Sequence, residues 1–194
     1  MAIRTEQPLV ERYLGHRSPL VRSEAAQALS RARVGSDAIH DALQKEHDFL
    51  VLASLCEAAL QTGDRESVFL LKKLCRHPSW LVRKHAAWAV AEIEEARSSP
   101  FLRHLLASEK SRRVRPVLQA GLLKWGGDDV LPALLSNLQS RDYLVRCITA
   151  NLFAQNIERR VRGNEVVAAL KEALAKEDTA AAREAITNAI KAWR

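Results

Sequence analysis

The 194-residue sequence is poor in aromatic residues, glycine and proline. Aromatic residues make up 5% of the chain, and there are only 7 glycines and 6 prolines. So few helix-breaking residues are typical of an ordered, helix-rich protein, and a core with few aromatic rings must be built mainly from Leu, Val, Ile and Ala. The composition therefore predicts closely packed helices.

Signals for membranes, secretion and disulfides are also missing. No run of residues approaches the roughly 18 apolar residues of a membrane-spanning helix. The first six residues already carry charge, and no apolar segment of a signal peptide follows them. The three cysteines, Cys56, Cys75 and Cys147, are odd in number, far apart and without Cys-x-x-Cys spacing, which argues against a disulfide framework or a zinc knuckle. We expect a protein of the reducing cytoplasm that does not associate with membranes.

Positive charge is in excess, and it is unevenly distributed. The chain has 30 Lys and Arg against 23 Asp and Glu, for a net charge of +7. Residues 1–97 are nearly balanced, with 14 basic and 13 acidic side chains, whereas residues 98–162 carry 11 and 5. Such asymmetry favours an acidic partner, either a protein or a nucleic acid.

A Val-Arg motif, or its remnant, recurs along the whole chain. It is clearest in Pro19-Leu-Val-Arg-Ser-Glu-Ala-Ala and Trp80-Leu-Val-Arg-Lys-His-Ala-Ala. The anchor residues are Val21, Val51, Val82, Val114, Val145 and Ala182, at intervals of 30, 31, 32, 31 and 37 residues. Each anchor follows a residue suited to begin a helix, and these are Ser18, Asp48, Ser79, Ser111, Asp142 and Thr179.

A second set of helix starts precedes the first by roughly fifteen residues. Its members are Thr5, Ser36, Asp64, Ser99, Asp128 and Asn164. Each unit therefore reads as helix A, a tight turn and helix B, and one such pair cannot bury its apolar face alone. We predict an all-α fold, a right-handed α-solenoid or α-α superhelix of about six two-helix repeats. The expected single domain, 1–194, has repeats at about 5–32, 36–62, 64–95, 99–126, 128–157 and 164–194.

The pattern x-x-Val-Arg-x-x-Ala-Ala-x-Ala-Leu resembles the HEAT repeat, in particular that of the phycobilisome-lyase-like subfamily. Two departures matter: Leu52 replaces the arginine in repeat 2, and Pro116 falls inside helix B of repeat 4, where we expect a kink or a bent first turn. The resemblance implies that B helices line a concave groove and that the chain is a binding scaffold.

Alignment of the repeats places one column of side chains at the centre of that groove: Gln27, Glu57, Trp88, Ala120, Asn151 and Asn188. Trp88 stands out as a large aromatic residue with Lys84 one turn before it, and such a pair is a plausible binding hot spot. The alternative is that Trp88 packs against the fourth B helix above Ala120. We predict a partner-binding site formed by Gln27, Glu57, Lys84, Trp88 and Asn151.

Two further columns are interpreted as mainly structural. The motif arginines are expected to bridge to carboxylates or carbonyls of adjacent repeats, and they are Arg22, Arg83, Arg115, Arg146 and Arg183. Phe49, Trp80 and Tyr143 share the first position of helix B. They could form a contact ridge, but packing of the A–B turn onto the next repeat is favoured.

The remaining cations predict a basic rim on repeats 4 and 5. Its members are Lys110, Arg112, Arg113, Arg141, Arg159, Arg160 and Arg162. A phosphate backbone could follow such a rim, an acidic protein loop could bind it, or it could be a solvated edge.

The sequence favours binding over catalysis, with no cofactor and no metal site. It has no phosphate-binding loop, dinucleotide-binding glycine motif or nucleophile elbow. We predict a monomeric scaffold, adaptor or inhibitor, of which an immunity protein is one form, for a protein partner with an acidic surface. One alternative is a nucleic-acid-binding, HEAT-like protein of DNA-repair type that binds through the basic rim on repeats 4 and 5. Trp88 and Glu57 also resemble the groove residues of HEAT-like alkylbase DNA glycosylases. A second is a bilin lyase or chaperone, implied by the subfamily resemblance.

Overall fold

The computed structural model describes residues 2–155 and 162–193, and every regular element in these ranges is helical. The helices alternate between A and B types as the repeat predicts. The A helices are α1 (Ala2–Arg12), α3 (Ser36–Lys45), α5 (Val68–Leu74), α7 (Ser99–Ser108), α9 (Leu131–Ser136) and α11 (Gly163–Lys176). The B helices are α2 (Pro19–Ala32), α4 (Phe49–Thr62), α6 (Trp80–Glu94), α8 (Arg115–Lys124), α10 (Tyr143–Gln155) and α12 (Ala180–Ala192).

The chain forms two compact units, residues 1–98 and residues 99–194. Unit 1 buries an apolar core from its B helices that includes Leu29, Leu55 and Val90. Unit 2 buries Leu118, Leu134 and Phe153 among others. The all-α fold of stacked helix pairs, of α-solenoid class, is therefore as predicted, while the single domain over residues 1–194 stays a prediction.

Five of the six predicted B-helix starts are correct to the residue, but only some of the predicted caps form hydrogen bonds. Asp48 accepts hydrogen bonds from the N–H groups of Leu50 and Val51, at 2.9 and 3.2 Å. The side chains of Ser18, Ser79 and Thr179 make no capping hydrogen bond. These hydroxyl residues still adopt the extended conformation that precedes a helix.

A different residue stabilises each A–B turn, two positions before the predicted cap. Its side chain accepts the backbone N–H two residues further on, at 2.7 to 3.2 Å. The six acceptors are His16, Glu46, His77, Glu109, Ser140 and Glu177. The alignment of His16 and His77 thus reflects a shared turn geometry.

In repeat 4 the predicted start at Ser111 is wrong. Helix α8 begins at Arg115, with Pro116 in its first turn, where a missing N–H removes no intrahelical hydrogen bond. A turn with backbone bonds from Val114 and Arg115 to the Ser111 carbonyl occupies the preceding residues. Instead of the expected kink or bent first turn, Pro116 is accompanied by a later start of the helix.

Two A helices also begin later than predicted. Asp64 is nearly buried and accepts hydrogen bonds from the N–H groups of Glu66 and Ser67, so it stabilises a turn and α5 begins only at Val68. Asp128 opens a 3-10 turn, Asp128–Val130, ahead of α9.

The motif arginines fasten the A–B turn of their own repeat. In all five repeats the guanidinium donates to the carbonyl six residues earlier, and the acceptors are the carbonyls of His16, His77, Glu109, Ser140 and Glu177. The prediction was a carboxylate or carbonyl of an adjacent repeat, whereas this carbonyl lies in the turn that leads into the same helix.

Arg22 and Arg146 also join neighbouring repeats. Arg22 donates through Nε and a terminal nitrogen to Glu46, at 2.6 and 2.9 Å, and Arg146 does the same to Glu177, at 2.6 and 2.7 Å. Both carboxylates belong to the next repeat, as predicted. Such bidentate pairs fix the register of adjacent turns.

Candidate functional site

In unit 1 the partly exposed face of the B helices carries a continuous band of polar side chains. Helix α4 packs between α2 and α6, so equivalent positions of three repeats become neighbours. We call this band the B-helix stripe, and its members are Ser23, Gln27, Ser54, Glu57, Gln61, Lys84, His85 and Trp88.

Hydrogen bonds and a contact between Glu57 and His85 connect the stripe from helix to helix. Ser23 Oγ lies 2.8 Å from Ser54 Oγ, which joins α2 to α4, and Gln27 Nε2 donates to Ser23 Oγ at 3.3 Å. The stripe is therefore a preorganised surface rather than a set of independent side chains.

Glu57 is the electrostatic centre of the stripe. Its Oε1 accepts a hydrogen bond from Gln61 Nε2 at 3.0 Å, and its Oε2 lies 3.8 Å from His85 Nδ1 on α6. The contact with His85, supported by Gln61 and by the charge of Lys84 and opposed by partial burial, lowers the pKa of Glu57. The carboxylate is therefore held in its charged form.

Lys84 brings a partly desolvated cation to the same place. Burial lowers the pKa of its ammonium group, and the attraction of Glu57 opposes this effect. Trp88 lies one turn later on α6 and is half-buried, so the indole is neither fully enclosed nor fully presented to solvent. An ammonium and an indole next to each other are the residue types of a contact hot spot.

The structure brings together four of the five predicted groove residues. Gln27, Glu57, Lys84 and Trp88 all lie on the B-helix stripe of unit 1. Asn151 is exposed on α10, which belongs to unit 2. Ala120, which alignment placed in the same column, is fully buried, because α8 is apolar on nearly all sides.

In unit 2 the predicted basic rim is only partly assembled. Lys110, Arg112 and Arg141 are exposed in the A–B turns of repeats 4 and 5, and Arg113 Nε donates to Asp142 Oδ2 at 2.8 Å across those turns. Arg162 does not lie with them. It precedes α11, whose opposite end, about 20 Å away along a 14-residue helix, leads to the Glu177 turn. Arg162 is instead paired with Glu165, and Arg159 and Arg160 lie outside the described residues.

Sequence reasoning missed a buried polar network in unit 1. The Ser67 hydroxyl donates a hydrogen bond to the Asp64 carboxylate. His40 Nδ1 lies 3.0 Å from Ser67 Oγ. These are residue types of nucleophilic catalysis, but Ser67 is fully buried. Its proton is directed to the Asp64 carboxylate and not to the His40 imidazole. The network therefore anchors the turn before α5 against α3.

No arrangement for metal or membrane binding emerges from the described ranges. They contain no group of three or more His, Cys, Asp or Glu residues placed to hold a metal ion. No helix within them is long and apolar enough to cross a membrane. Cys56 and Cys75 are buried, and burial raises the pKa of both thiols, that of Cys75 to about 12.

Comparison with known proteins bears on the repeats rather than on the sites. Two crystal structures of engineered proteins are similar to this chain, at 19% and 18% identity, each with a TM-score of 0.45. The matches cover 95% of this chain in both cases, and 94% and 97% of the respective engineered chains. No curated protein matches the sequence. The family model for HEAT repeats matches residues 36–122, which run from the start of α3 into α8, so this part of the chain is similar to HEAT repeats.

Proposed function

We propose that the chain is a protein-binding scaffold, either an adaptor or an inhibitor, whose B-helix stripe in unit 1 holds the partner. HEAT repeats typically serve as scaffolds for protein interactions. The observation that supports this site is the conjunction of Glu57, Lys84 and Trp88 on two packed B helices. Here a charged pair and a large ring share one half-buried surface.

The stripe suits a partner that presents an acidic side chain beside an apolar one. Lys84 already has part of its hydration removed, so an incoming carboxylate gains more from it than from a fully hydrated lysine. The indole of Trp88 offers apolar area at a low cost in side-chain entropy. The stripe's hydroxyl, amide and imidazole groups suit recognition by hydrogen bonding.

Two substitutions test this proposal. Trp88→Ala and Lys84→Glu should each reduce capture of the partner by tenfold or more, because hot-spot residues contribute about 2 kcal/mol or more. The partner is first identified by affinity pull-down and mass spectrometry, and its affinity for each variant is then measured by calorimetry. Circular dichroism should show unchanged helical content.

Matched controls come from the A helix of the same repeat. Phe69→Ala and Lys73→Glu remove an exposed ring and reverse an exposed charge on α5. They should leave affinity unchanged. A partner that binds both stripe variants normally, or loses affinity equally for the control variants, would show that the stripe is not the contact surface.

An immunity-type inhibitor differs from an adaptor in that its partner loses activity on binding, which an activity assay of the captured protein decides. The bilin lyase or chaperone role depends on the subfamily resemblance, and no residue of the B-helix stripe favours it over a scaffold.

A further inference from the structure

The A–B turns of repeats 4 and 5 form a second charged surface, in unit 2, that the proposed scaffold function does not use. Arg113 and Asp142 join the two turns at 2.8 Å, so the exposed residues around this ion pair lie close to one another. We call this surface the unit 2 rim, and it consists of Lys110, Arg112, Arg113, Arg141 and Tyr143.

Cations outnumber carboxylates on this rim. The two turns contain four basic side chains and two acidic ones, Glu109 and Asp142. Both carboxylates are engaged: Glu109 accepts the Ser111 N–H at 2.7 Å, and Asp142 binds Arg113 and accepts the Leu144 N–H. Lys110, Arg112 and Arg141 are exposed, and their side chains have no hydrogen-bond or ion-pair partner among the described residues.

An exposed aromatic ring belongs to the same pair of turns. Tyr143 opens α10 directly after Asp142 and is 44% exposed, although its position in the repeat was expected to pack against a neighbour. Three available cations around an exposed ring form a surface on which a phosphate backbone is neutralised while a base stacks. The next turn ends this surface, because Asp178 there is 93% exposed and carries negative charge.

From this arrangement we infer that the unit 2 rim binds single-stranded nucleic acid. Lys110, Arg112 and Arg141 contact the phosphates and Tyr143 stacks on an unpaired base. A duplex keeps its bases paired and stacked inside, so it would use the cations but not the ring. An acidic protein would also be attracted to the cations, but it brings no planar base for Tyr143.

The test is fluorescence anisotropy of the full chain with labelled oligothymidylate of about 20 nucleotides. Three phosphate contacts predict that log K falls with log salt at a slope of about −2. Reversal of two cations, in Arg112→Glu with Arg141→Glu, should weaken binding at least about tenfold and make the slope shallower by more than half. Tyr143→Ala should weaken binding about tenfold with the slope unchanged.

A charge-matched control separates the rim from the overall positive charge. Lys171→Glu with Lys191→Glu reverses two exposed lysines on α11 and α12 of the same unit and should leave binding intact. Circular dichroism should confirm that all variants are folded. The inference is overturned if the unaltered chain fails to bind the oligonucleotide at low salt, if the control variant loses as much affinity as the rim variant, or if duplex DNA or polyglutamate binds as tightly as the single strand.

Discussion

The ion pair between Arg146 and Glu177 illustrates how single residues hold the repeats together. The Glu177 side chain is 1% exposed and accepts two hydrogen bonds from the guanidinium as well as the Thr179 N–H. The bond from Arg146 is the main reason that the pKa of Glu177 falls to about 2, although burial opposes the shift. Protonation of the Glu177 carboxylate therefore destabilises the native state.

Glu177→Gln should make the stability of unit 2 less sensitive to acid. The pKa of Glu177 is lowered on folding, so its stabilising contribution is complete above the ordinary value of 4.5 and is lost as pH falls from there towards about 2. At pH 7 the free energy of unfolding of the variant should be about 2 kcal/mol lower than that of the unaltered chain, because a hydrogen-bonded charge is lost. Urea unfolding at pH 7 and near pH 2 measures both values, and an equal deficit at the two pH values would contradict this explanation.

The sequence predicted the bridging role of the motif arginines better than it predicted which groups accept their hydrogen bonds. The planar donor fork suggested that the arginines bridge repeats, and for Arg22 and Arg146 this is correct. The carbonyl six residues earlier could not be foreseen, because it depends on how the A–B turn directs its backbone. The turn acceptors, such as His77 and Glu109, were missed for a similar reason: no one residue type fills that position.

Helices begin where sequence predicts, except where a turn competes. Asp48 and Asp142 mark the starts of α4 and α10 because a carboxylate accepts the free N–H groups of a first turn. Asp64 makes the same kind of bonds to a turn that does not continue as a helix, and Ser111 is followed by such a turn ahead of Pro116. Local capping chemistry is the same in both situations, so sequence alone cannot separate them.

Two glycines at helix ends offer a matched test of how connections are built. Gly35 precedes α3 with φ of +79°, and a Cβ there would lie 3.0 Å from Glu11 Oε1 and 3.3 Å from Leu29 Cδ2. Gly63 follows α4 with φ of +68° and has open space around it. Both positions need the left-handed backbone, but only Gly35 is also crowded.

Gly35→Ala should therefore be more destabilising than Gly63→Ala. The strain of a left-handed alanine costs about 1 kcal/mol at either site, and displacement of packed neighbours adds about 1 kcal/mol at Gly35. Thermal and urea unfolding of the two variants, measured together, give the difference. Equal losses would mean that Glu11 and Leu29 move aside without cost.

Across the whole molecule, stacked repeats make stability a local property. Each repeat contacts mainly its neighbours, so the effect of a broken bridge should fade within one or two repeats. Arg22→Ala removes the bidentate pair with Glu46 and should accelerate amide hydrogen exchange in α2, α3 and α4 while leaving α11 and α12 unchanged. Arg31→Ala, an exposed position on the same helix, is the control. Uniform acceleration along the chain would indicate a single cooperative unit instead.

The candidate sites were partly predictable from this repetition. Alignment of equivalent positions placed Gln27, Glu57, Lys84 and Trp88 on one face because the repeat fixes which side of each B helix meets solvent. Alignment failed at Ala120, because α8 is buried there. It also could not show that His85 and Gln61 complete the environment of Glu57, because these contacts depend on how far α4 and α6 are rotated against each other.

The guanidinium-to-carbonyl bond also determines where the chain tolerates changes in length. Its span is six residues in every repeat that has the arginine, whereas the spacing between anchor residues varies from 30 to 37. An insertion between the arginine and its acceptor would break the bond, but one between helix B and the next helix A would not. The connections between each helix B and the next helix A are therefore the places at which new loops, tags or whole domains can be inserted into this protein.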